Sequence, residues 1–171
     1  MRHTRHIAAL LLCCTVALAA AGCGYRFSGV GEFPYGIEEI AVEVFKNRSA
    51  EVGLENTVTD SLIYELTRSG QVAVTGTEKA DAVISGTIQR VADRSVSRSD
   101  LLIAEERRVF IQVDLRLVSA DGKTLWRTEG LREDEAYPVS EDRTVTEVNR
   151  RRALETATDR LAEKIYNRIT A

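Results

Sequence analysis

From residue 109 to residue 117 apolar and polar side chains alternate almost without a break. Val109, Ile111, Val113, Leu115 and Leu117 are separated by Phe110, Gln112, Asp114 and Arg116. A period of two scatters around a helix but falls on one side of a strand. The run therefore predicts a strand of an antiparallel sheet, with one face in the core and the other largely polar. Ala120-Asp121-Gly122-Lys123 follows it, and Asp-Gly is the dipeptide of a tight hairpin turn. Leu125 to Tyr137 returns as a strand anchored by Trp126, and Pro138 ends it. On the other side, Asp81 to about Arg98 reads as a long strand with Ile84, Gly86 and Ile88 on one side. Ser99 to Glu106 then connects it to the alternating run. Three long strands in succession make a meander.

The remaining elements surround that meander. Ile40, Val42 and Val44 alternate with Glu39, Ala41 and Glu43, which predicts a further strand, broken at Asn47-Arg48-Ser49. From about Glu51, Leu54, Val58, Leu62 and Leu66 recur every four residues with Ile63 beside them, giving one helical face closed by Gly70. Val72-Ala73-Val74 is a short strand, so strand, helix and strand form a βαβ-type unit. From about Arg143 to the end a second helix is predicted, with Leu154, Ala157, Leu161, Ile165 and Ile169 as its face. Segregated helices and a meander imply an α+β two-layer sandwich.

The N-terminus reads as an address. Arg2 and Arg5 precede an uncharged, mostly apolar run from Ile7 to Ala21, which ends in Ala20-Ala21-Gly22 before Cys23. A basic start, a short apolar run and small residues at its exit describe a bacterial secretory signal. The run falls short of the roughly 20 residues a membrane-spanning helix needs. A Cys directly after the small residues resembles a lipobox, at which Cys23 is thioether-lipidated and becomes the first mature residue. Ala20 stands where the lipobox pattern prefers Leu, and cleavage of a plain secretory signal nearby is the alternative. The expected organisation is a signal peptide over 1–22, a lipidated tether over 23–36 and a single domain over 37–171. The tether carries Tyr25, Phe27, Phe33 and Tyr35, which lie either on this domain or on a partner.

Cleavage there would remove both histidines, the lone Met, Cys13 and Cys14. No His then remains to serve a Ser or Cys nucleophile as general base, and no His/Cys set to hold zinc, haem or an iron–sulfur cluster. No disulfide could staple the exported domain. The chain is therefore expected to be a binding or structural protein, no enzyme, with no metal and no cofactor. The formal net charge of −3 leaves no whole-protein basic field to attract nucleic acid. Neighbouring carboxylates at Glu38/Glu39, Glu105/Glu106, Glu133/Asp134/Glu135 and Glu141/Asp142 point to opposite faces of a strand, so no doublet is by itself a glycosidase pair. Arginine carries more information. Arg90, Arg94 and Arg98 are four apart, so on a regular strand they share a face at about 13 Å intervals. Arg107 and Arg108 follow across the connection. Guanidinium groups suit phosphate, yet Asp93, Asp100, Glu105 and Glu106 are interleaved, and a salt-bridged, solvated hairpin would look the same. Arg150-Arg151-Arg152 reads as a solvent-facing run.

Several segments in order resemble one family. These are Gly22-Cys23-Gly24-Tyr25-Arg26-Phe27, the stretch Ile40 to Arg48, Gly53-Leu54-Glu55-Asn56, the helix end Tyr64-Glu65-Leu66 and Ala80-Asp81-Ala82. Asp121-Gly122-Lys123-Thr124-Leu125-Trp126 and Ala157-Thr158-Asp159-Arg160-Leu161-Ala162 complete the set. Together they resemble the LPS-assembly lipoprotein LptE family. The resemblance implies two α-helices packed on one face of a mostly antiparallel four-stranded sheet, plus the short extra strand. It also implies a protein anchored by Cys23 at the periplasmic leaflet of an outer membrane. There it would plug the LptD β-barrel, assist that barrel's assembly and bind lipopolysaccharide. The family's basic ligand positions correspond to regions holding Arg94, Arg98, Arg107, Arg108 and Arg143. The competing expectations are a periplasm-facing lipoprotein that scaffolds another envelope complex, and a carboxylate-based hydrolase.

Overall fold

A computed structural model of the chain describes residues 32–96 and 106–171. The signal, Cys23, Tyr25, Phe27 and Arg98 lie outside the described residues. After a 3-10 turn at Pro34–Gly36 come β1 (Glu39–Val42), β2 (Lys46–Asn47), α1 (Leu54–Ser69) and β3 (Ala73–Val74). The meander follows as β4 (Ala82–Val96), β5 (Glu106–Ser119) and β6 (Thr124–Pro138), and α2 (Arg143–Thr170) closes the chain. The strands form one sheet in the order β3-β1-β4-β5-β6, with β2 also on β4. β4, β5 and β6 are antiparallel, whereas β1 pairs in parallel with both β3 and β4. The α+β class and the strand–helix–strand unit are as the sequence implied.

The sheet has six strands among the described residues, not four and a short extra one. The reason lies at Phe45. Its N–H donates to the Thr59 hydroxyl of α1 (3.1 Å), and its ring is buried. To reach that position the backbone leaves β4 after Glu43 and rejoins it as β2, where the Arg48 N–H donates to the Ile88 carbonyl. The alternation expected through Val44 therefore stops early, and Val44 is exposed while Ala41 is buried.

Both helices bury their apolar stripes in one core against the sheet. Leu54, Val58, Leu62 and Leu66 of α1 join Leu154, Ala157, Leu161, Ile165 and Ile169 of α2. From the sheet come Ile40, Ile84, Ile88, Val109, Ile111, Val113 and Leu117. Gly70 ends α1 in the left-handed region (φ 66°), where the missing Cβ removes the steric penalty. Asp142 caps α2 by accepting from the Thr144 N–H at 2.7 Å. Phe33, expected in the tether, is buried in this same core, while Tyr35 is exposed. Among the described residues no helix is long and apolar enough to cross a membrane.

Candidate functional site

With both helices on one side, the other side of the sheet is left without a helical cover. Two irregularities in register decide which side chains stand there. Ile88 pairs with Val113 but Arg90 with Gln112, so Gln89 is an extra residue in β4. Beyond it the parity of the strand reverses. Val91 and Asp93 face the core side opposite Ile111 and Val109, and Arg90, Ala92 and Arg94 face outward. In β6 a second shift, beside Gly130 at φ 65°, sends Glu133 and Glu135 to the helix side and Arg132 and Asp134 outward.

Arg94 and Arg108 are thereby direct cross-strand neighbours on the uncovered face. The Arg94 guanidinium lies 5.1 Å from the centroid of the Phe110 ring, and that of Arg90 lies 5.7 Å from it. Arg108 is paired with Asp134 at 2.6 Å, and Arg132 donates to Gln112 at 3.0 Å. Arg94, Ser95, Arg108, Phe110, Arg132 and Asp134 line a depression of about 510 Å³. Its chemistry is an apolar floor flanked by fixed cations, which suits an anionic amphiphile.

The other arginines of the expected set do not join this group. Arg107 has the opposite parity, lies half-buried on the helix side between Ser95 and Tyr137, and acts electrostatically on the Tyr137 hydroxyl. Arg143 is the exposed first residue of α2.

Below the sheet the structure shows a network that sequence reasoning missed. Arg150 is not part of a solvent-facing run, unlike the exposed Arg151 and Arg152. Its Nε donates to Asp93 Oδ1 and Oδ2 (3.2 and 3.1 Å), and its Nη2 to Glu51 Oε1. The Tyr137 hydroxyl donates to the same Asp93 at 2.8 Å. Burial, reinforced by the Asp93 carboxylate, pushes the Tyr137 hydroxyl up to about 12. The Glu51 hydrogen bond, with Asp93 adding to it, holds the Arg150 guanidinium above its ordinary value. A signal was available, because Arg150 precedes Leu154 by four residues and Ala157 by seven, on the buried stripe of α2.

The carboxylate doublets separate as a strand requires. Glu133 pairs with Lys164 and Glu135 with Arg160, clamping α2 to β6, whereas Asp134 stands on the other face. Asp81 accepts from the backbone N–H groups of Glu39 and Glu38 (2.9 and 3.0 Å), and these bonds hold its carboxyl below the usual range. Among the described residues no group of three or more His, Cys, Asp or Glu is placed to hold a metal ion.

Two helices on one side of a sheet, and a bare cationic surface on the other, define a two-layer α+β domain built around an exposed sheet face. The chain belongs to the LptE family, whose model, described as lipopolysaccharide-assembly, matches residues 37–169. The fold recurs in lipoprotein B from Nitrosomonas europaea, with 17% identity, a TM-score of 0.60, and 84% of this chain and 88% of that one covered. It recurs in a minor lipoprotein from Acinetobacter baumannii, with 12% identity, a TM-score of 0.53, and 78% and 90% covered. A putative lipoprotein from Caulobacter crescentus shows 18% identity and a TM-score of 0.50, with 74% and 88% covered. No curated relative matches the chain in sequence.

Proposed function

We propose that this protein is lipidated at Cys23, sits at the periplasmic leaflet of the outer membrane, and serves lipopolysaccharide transport there. In this reading it plugs the lumen of an LptD-like β-barrel and assists the barrel's assembly. It holds lipopolysaccharide transiently at the Phe110 depression. The observation that carries the reading is the family match over residues 37–169. The geometry at Phe110 supports the ligand. Lipid A combines phosphates with apolar chains, and Arg94 and Arg108 supply guanidinium groups beside an aromatic floor. Arg98 and Arg143 remain further candidates for the same ligand, while Arg107 supports the hairpin from its other side. The role is non-catalytic, because residues 23–171 contain no His and no thiol but Cys23.

Purification of the full chain in mild detergent tests the barrel partner. A stoichiometric, heat-modifiable β-barrel should come with it, and recovery of a different envelope complex would favour the scaffold reading. Lipopolysaccharide binding tests the site. Arg94→Ala combined with Arg108→Ala should bind at least tenfold more weakly while folding normally, and wild-type binding should fall as salt rises. Unchanged affinity would leave both as surface charges worth about 0–1 kcal/mol.

A further inference from the structure

The uncovered face extends well beyond the Phe110 depression. Lys46 and Arg48, Arg90 and Arg94, Arg108 and Arg116, and Arg127 and Arg132 share it, one pair each from the β2 segment, β4, β5 and β6. Against these eight cations stand six carboxylates, Glu39, Glu43, Glu106, Asp114, Glu129 and Asp134, on a chain whose formal net charge is −3. Asp114 is already engaged, accepting from Gln89 Nε2 at 2.6 Å and from the Gly130 N–H at 2.7 Å. Among the described residues only Arg108 of the eight meets a carboxylate, at Asp134. Cations on the helix side behave differently, since Arg150, Arg160 and Lys164 are each ion-paired.

The placement of two pairs sharpens the contrast. Arg94 faces Arg108, and Arg116 faces Arg127, directly across antiparallel strands. Like charges in that position destabilise a sheet. Phe110 and Asp134 offset the first pair. The second has only the bond from Arg116 Nε to the Ser85 hydroxyl, at 2.9 Å, and Arg127 has no partner among the described residues. This pair also lies towards the opposite end of β5 from the Arg94–Arg108 pair.

We propose that this face is a docking surface for a carboxylate-bearing protein partner, anchored by the Arg116–Arg127 pair. Its reach decides against a single lipid headgroup. From Arg108 to Arg116 is eight strand residues, about 27 Å, and the cations span four strands across. Neutral hydrogen-bonding side chains at Ser85, Thr87, Gln89 and Gln112 fill the spaces between them, a composition that fits a broad, polar protein interface rich in arginine. Under the reading above the partner is the barrel's inner wall, and the inference rests on that reading for the partner's identity alone.

The test uses the full lipidated chain, purified in mild detergent, with stoichiometric partners identified by mass spectrometry. Arg127→Glu converts the like-charge pair into a matched one, so the isolated protein should melt at or above the wild-type temperature. Recovery of its partner should nevertheless fall at least tenfold, with lipopolysaccharide binding unchanged. Arg151→Glu combined with Arg152→Glu, two charge reversals on exposed α2, should keep the partner. A barrel recovered equally by wild type and Arg127→Glu overturns the docking face and leaves the barrel reading standing. Another protein, lost on Arg127→Glu, upholds the face and overturns the barrel. Wild type with no stoichiometric protein partner overturns both. Weakened lipopolysaccharide binding with full partner recovery makes this a lipid surface and overturns the proposal.

Discussion

Individual residues show how tightly the covered side of the sheet is built. Gly86 lies under the buried Phe45 ring, and a Cβ there would stand inside the ring's van der Waals radius. Gly86→Ala should therefore cost about 1–3 kcal/mol by overpacking, measured by urea denaturation, and Phe45→Leu should recover part of the loss. Tyr137 offers a pH-dependent counterpart. Its hydroxyl is raised from 10.0 to about 12 in the folded chain, so folding retains a proton that the unfolded chain has released. The stabilisation is complete below about pH 10 and is lost as pH rises towards 12. Tyr137→Phe should shrink the fall in urea midpoint between pH 9 and 11.5, and an equal fall in both proteins would mean that burial and Asp93 do not hold the hydroxyl up in the folded chain. Neither effect follows from residue type, since both depend on what packs above the side chain.

At the scale of elements, β5 carries the register that everything else follows. Leu117 is fully buried and Arg116 exposed. Leu117→Ala should cost about 2–5 kcal/mol and Arg116→Ala little, and equal costs would mean that the strand is placed one residue out. The alternation of β5 and the four-residue repeats of both helices were legible because each reflects geometry internal to one element. Less was legible where elements meet. The repeat Arg90, Arg94 placed two guanidinium groups on one face correctly, but which face depended on the extra residue at Gln89. Proximity along the chain groups Arg107 with Arg94, but strand pleating puts it on the other side. The end of β1 is not legible, because nothing in Val44-Phe45 announces that the Thr59 hydroxyl waits for the Phe45 N–H.

Among the described residues the charges divide by side, with paired ions between sheet and helices and arginines on the bare face of which only Arg108 meets a carboxylate. An anchored protein with such a face would meet its partner at a fixed membrane surface, so anchor and face should act together. Cys23→Ala should abolish acyl labelling and release a soluble form, and label persisting on the variant would show the lipobox to be misread. A partner held through the sheet should retain a fraction of that variant at the membrane.

By itself the sequence determined the class of fold, the order of its principal elements, the core stripes of β5 and both helices, and the family. Those are set by local periodicity and by ordered motifs, which survive in one dimension. Only the tertiary structure decided the six-stranded sheet, the burial of Phe33 and Arg150, and the face on which each arginine stands. A single extra residue in a strand reverses every side chain beyond it, and where that residue falls is fixed by pairing with a neighbour rather than by the strand's own composition.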